Sequence, residues 1–77
     1  MKTMTKVQIS TLLSRAAAHK KEALNLPADS HAGSIHEGMA AGFYISALIL
    51  TQKDAAELPT LKEYIKNPEE VFATLTK

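Results

Sequence analysis

The chain has 77 residues, with nine Lys and Arg against eight Asp and Glu, a net charge of +1, and no cysteine. That length gives one domain; the missing cysteines exclude a disulfide framework and a thiolate metal site; the near-neutral balance argues against a partner such as bulk duplex DNA, although a local basic patch survives the average. A lone chain of this mass would bury only roughly 62 % of its unfolded surface, so an isolated monomer is expected to be marginal.

Met1 to Lys6 carries two lysines but opens no apolar run, because Lys6, Gln8, Ser10 and Thr11 interrupt it. A secretory leader needs 7–15 apolar residues there. The first helix is predicted over 6–25. Thr5 followed by Gln8 supplies a capping signature, with Met4 placed to staple onto Ile9. Leu12, Ala16, His19, Ala23 and Leu26 share a face that Ile9 and Leu13 widen, while Arg15, Lys20, Lys21 and Glu22 point mostly elsewhere. Pro27 stops this helix. The stretch Pro27 to Gly33, PADSHAG, has the composition of a loop.

The second helix is predicted to open on the Ser34/Glu37 signature and to run over 35–57, its central part spanning 35–52, until Pro59. The apolar stretch Met39 to Leu50 has twelve residues. A membrane span needs about 20, so a buried helix is expected. Two short helices follow, 61–66 behind the Thr60/Glu63 pair and 68–76 behind Asn67 with Pro68 at the first helical position. No alternating strand of useful length is present. The fold class expected is therefore all-α: a small bundle of three to four helices forming one domain over 1–77.

Ser34, Gly38, Gly42 and Ser46 recur every four residues along the second helix, which stacks them on one side. Two interior glycines cost about 0.8–1 kcal/mol each relative to alanine, so something should compensate. Three explanations compete: close packing against the first helix, whose Ala16-Ala17-Ala18 run is also small; the same helix of another subunit across a two-fold axis; or a ligand against exposed backbone. Beside the stripe, Ile35, Met39, Phe43, Ala47 and Leu50 are expected to be core. His36, Ala40, Tyr44 and Leu48 are expected to line a subunit boundary or a pocket rim. A helix apolar nearly all round must be covered on most sides, and three other segments are few for that task. A homo-oligomer follows as the expectation.

Residues with chemistry are sparse. His31, His36 and Glu37 lie close in sequence, but their spacing matches no zinc pattern, and neither a metal nor a cofactor is expected. Asp29, Ser30, His31, Ser34, His36 and Glu37 include the residue types of a triad, yet no Gly-x-Ser-x-Gly elbow is present, and triads are defined by geometry. No enzyme is expected. The loop Ser30 to Ser34 leads into a helix N-terminus, where free N–H groups attract anions. Lys20 and Lys21 would reach it in a helical hairpin, with His19 and Arg15 extending the patch. The candidate ligand residues are Lys20, Lys21, Ser34, His36 and Tyr44. As a nucleic-acid surface, Arg15, His19, Lys20 and Lys21 form too short a cluster, without interleaved aromatics. Near the C-terminus, Tyr64, Ile65, Val71, Phe72 and Leu75 give an apolar side expected to close over the second helix, or else to dock as an arm on a partner.

The functional expectation is binding without chemistry. The first form is an oligomeric cytoplasmic inhibitor or adaptor that docks on a protein partner through the charged side of the first helix or the C-terminal pair. The alternatives are sequestration of a phosphate-bearing small molecule, such as a nucleotide, at a subunit boundary, and a nucleic-acid-binding regulator.

Overall fold

The computed structural model describes residues 1–77 and contains helices and turns but no strand. Helix α1 spans Thr3–Leu24 and α2 spans His31–Thr51. They form an antiparallel hairpin that dominates a body of 39 × 20 × 19 Å. A single 3₁₀ turn, Ala55–Glu57, leads to α3 (Leu61–Lys66) and α4 (Pro68–Leu75).

The seam of the hairpin is built from small side chains. Ile9, Leu13, Ala16 and Ala23 of α1 are buried, as are Gly33, Ala40, Tyr44, Ala47 and Thr51 of α2. Ile9, Ala16 and Ala23 are seven residues apart, and so are Gly33, Ala40 and Ala47. A seven-residue repeat keeps one narrow seam facing an antiparallel neighbour, and alanine at its centre lets the two backbones approach closely. Val71 and Leu75 of α4 complete the core cluster with Ile9, Leu13, Ala16, Tyr44 and Ala47. The C-terminal pair thus covers the groove between α1 and α2 instead of lying on α2 alone.

Several boundaries differ from the sequence expectation. Helix α1 starts at Thr3, so Thr5 lies inside it, and Lys2 at the cap position makes no side-chain bond. It ends at Leu24, before Pro27 can act: Asn25 N–H reaches back to the Lys21 and Glu22 carbonyls. Helix α2 starts at His31, and Ser30, not Ser34, is its cap. Ser30 Oγ accepts from Gly33 N–H at 3.0 Å and donates to the Pro27 carbonyl at 2.7 Å. The Ser30 N–H also reaches Pro27 O, at 3.0 Å, so a tight turn delivers the helix four residues early. Gly33 is required here, because a Cβ would stand 2.9 Å from Ser30 Oγ and 3.0 Å from Pro27 O.

Helix α2 does not continue to residue 57. Gln52 turns left-handed at φ 58°. Thr51 Oγ1 closes the end by donating to Leu48 O at 2.6 Å and accepting from Lys53 N–H at 3.2 Å. The 3₁₀ turn has its own cap, Asp54 Oδ1 accepting from Ala56 N–H. The third signature behaves as read: Thr60 and Glu63 form a reciprocal capping box. Pro68 occupies the first turn of α4, although the Asn67 side chain makes no capping bond. Lys53 Nζ donates to the Thr74 carbonyl at 3.1 Å, tying the last turn of α4 to the end of α2 with the charge sign that a helix C-terminus favours.

Candidate functional site

The two hairpin helices meet in two polar contacts, one from each of two adjacent residues. His19 and His36 face each other with Nδ1 atoms 2.9 Å apart, one ring donating and the other accepting, and with ring centroids 5.1 Å apart. Phe43 stacks on His19 at 5.5 Å, nearly parallel. Lys20 Nζ donates to Glu37 Oε1 at 2.6 Å. Half of the Glu37 side chain is exposed, so this ion pair contributes at most about 1 kcal/mol. It sets hairpin register and occupies the positive charge that an anionic ligand would need. His36 is held by His19 across the hairpin.

Tyr44 is 6 % exposed and sits in the core. Its hydroxyl donates to the Pro59 carbonyl and so anchors the connection into α3. Burial pushes its phenol up to about 12, and the Glu63 carboxylate adds to the shift. The Ala40/Tyr44 side of α2 packs inward, and both residues also line a shallow cleft. Lys20 and Tyr44 border one shallow cleft with Thr60 and Lys62. Ser34 borders a second, beside Leu26 and Pro27, and Lys21 a third, beside Tyr64 and Pro68. Of the five residues predicted for a ligand, Lys20 and Tyr44 thus share one cleft, Glu37 joins it to the cleft beside Ser34, and Lys21 borders a different one; no single cleft holds all five.

The small-residue stripe has a clear placement. Ser34, Gly38, Gly42 and Ser46 are all exposed. Outside the helix itself, nothing lies within 4 Å of where a Cβ on Gly38 or Gly42 would stand. Packing against α1 is therefore not the explanation for these glycines; alanines at 40 and 47 serve that contact. The ridge read as core is rotated as well. Ile35 and Met39 face outward at 47 % and 42 % exposure, and Ile45 and Ile49 join them at 56 % and 69 %. Only Ala47 of that ridge is buried, with Phe43 and Leu50 partly so. A helix this apolar offers no hydrophobic contrast by which sequence could tell inside from outside. The seven-residue repeat of Gly33, Ala40 and Ala47 was the available signal.

The result is a continuous outer face of α2 made of Ile35, Met39, Ile45 and Ile49 around a glycine furrow, without a charged side chain of its own. Single exposed apolar residues are ordinary on a protein surface; here four share one helix face, and Ile45 also borders the cleft lined by Thr60, Leu61 and Lys62. A second, smaller exposure lies where α1 begins, with Met4 and Val7 outward and Val7, Leu12 and Leu50 lining a shallow cleft. No helix is long and apolar enough to cross a membrane. The class defined by fold and surface is an all-helical hairpin closed on one side by two short helices. Compared with family models, with curated proteins and with solved structures, the chain matches none of them.

Proposed function

We propose that this chain is a binding protein without chemistry of its own, an oligomeric inhibitor or adaptor that works by docking helix faces on protein surfaces. The observation that carries the reading is the bare outer face of α2, where Ile35, Met39, Ile45 and Ile49 stand 42–69 % exposed around Gly38 and Gly42. Apolar side chains on a helix gain free energy by leaving water, at about 25 cal/mol per Å², and a helix laid against another protein is a standard way to do it. The hairpin presents this face already folded, so little ordering entropy opposes binding. Sequestration of a phosphate-bearing ligand fits less well, because Lys20 is engaged by Glu37 and Lys21 borders a different cleft from Lys20 and Tyr44.

The test places a photo-reactive residue at Ile45 and, separately, at Met4, in the cells that make the protein. Illumination is expected to give an adduct of polypeptide mass at one or both positions. Absence of any polypeptide adduct at either position would remove the docking reading.

A further inference from the structure

We propose that the occupant of the outer face of α2 is a second copy of this chain, packed α2 against α2, antiparallel, about a two-fold axis level with Ala40. This rests on the docking reading above and names its occupant.

The central part of the exposed pattern is the same read in either direction, while Met39 and Ile49 outside it are answered by Ala41 and His31. Around Ala40, Gly38 answers Gly42, Ile35 answers Ile45, and Ser34 answers Ser46. The helix turns about 100° per residue, which makes the symmetry spatial. Measured from the midline of the outer face, Gly38 and Gly42 lie about 20° to either side, Ile35 and Ile45 about 40°, and Ser34 and Ser46 about 60°. The middle of the face, from Ser34 to Ser46, therefore carries its own two-fold symmetry, centred where the backbone is barest. An isologous contact requires a surface complementary to itself. Here each isoleucine is a knob and each glycine–serine corner is a hollow. In the antiparallel arrangement Ile35 of one chain enters the hollow at Gly42 and Ser46 of the other, while Ile45 enters the hollow at Gly38 and Ser34. Opposed helix dipoles favour this direction over the parallel one.

The chain exposes 5231 Å², roughly 600 Å² more than a compact monomer of 8.4 kDa, somewhat less than the roughly 800 Å² that each partner contributes to a standard interface. Between Ile35 and Ile45 the furrow holds Gly38 and Gly42 and no charged side chain, while Lys20, Glu37 and Lys62 flank Ile45 on its far side. The contact also accounts for the two interior glycines, each of which weakens the helix but permits close backbone approach.

Sedimentation equilibrium on the purified full chain tests this, with Gly42→Leu and Ile45→Lys as variants. The wild type is expected at twice the chain mass, and each variant is expected to raise the dissociation constant at least about 100-fold. Circular dichroism should stay helical, because a side chain at position 42 meets open space in the single chain. A wild type that remains monomeric at every concentration overturns the proposal. So does a dimer that both variants leave intact, since it would use another face. A monomer in solution together with an Ile45 photo-adduct to a different polypeptide overturns the second copy while leaving the docking reading in place. The absence of both dimer and adduct removes both.

Discussion

Tyr44 shows how one residue's surroundings set its chemistry. It is the one large polar side chain in the core, and its hydroxyl is spent on Pro59 O. Loss of contact with water disfavours the phenolate, and the nearby Glu63 carboxylate disfavours it further, so the group moves from 10.0 to about 12. The folded chain holds this proton more tightly than the unfolded chain does. Its contribution is complete below pH 10 and is lost as pH rises from about 10 to about 12, a loss of about 2–3 kcal/mol. The chain has two tyrosines, so a Tyr64→Phe background leaves Tyr44 as the sole phenol. Its absorbance titration should have a midpoint near pH 12, and denaturant unfolding should weaken over the same window. A midpoint near 10 would show that the phenol is solvated. The residue type at 44 was legible in the sequence as an amphipathic position on α2. Its role was not, because Pro59 approaches only after the chain has reversed direction beyond Gln52.

Among the elements, helix existence was readable and helix ends were less so. Four helical segments follow from apolar spacing and the prolines, and all four form. The ends moved wherever a cap depended on a turn outside the helix. Ser30 displaces Ser34 because Pro27 O lies within reach of both its hydroxyl and its N–H. Helix α2 stops at Thr51 because Gln52 adopts the left-handed conformation, which costs a residue other than glycine roughly 1–2 kcal/mol. Glycine would remove that steric cost while adding some backbone entropy on unfolding. Gln52→Gly should therefore stabilise by about 0.5–1 kcal/mol and raise Tm by roughly 2–8 °C. A lower Tm would mean that the Gln52 side chain contributes a contact that outweighs the strain. The rotation of α2 was the largest misreading. With apolar residues on every side, its hydrophobic pattern gives no preferred direction, and only the alanine seam shows which side meets α1.

For the molecule as a whole, the shortage is burial. Eleven of 77 residues are buried, and the three largest fully buried side chains are Ile9, Leu13 and Leu75. A core this small, rich in alanine, leaves the single chain with little excess of apolar burial over conformational entropy. Association through α2 would add stability by mass action. The thermal midpoint of the wild type should then rise with protein concentration, and that dependence should vanish in Ile45→Lys. A midpoint independent of concentration in the wild type would mean that the hairpin and its two short helices suffice alone.

The sequence by itself determined that the chain is helical, where its four helices lie to within six residues at every end, and that α2 is too apolar to be left in water on all sides. These are properties of local spacing, capping chemistry and composition. Only the tertiary structure decided which side of α2 is inside, that His36 meets His19 and Lys20 meets Glu37 across the hairpin, and that Gly38 and Gly42 look outward. Those facts depend on residues 17 or more apart coming together through one turn at Pro27–Ser30, and hydrophobic periodicity carries no record of such a turn when a helix is apolar all round.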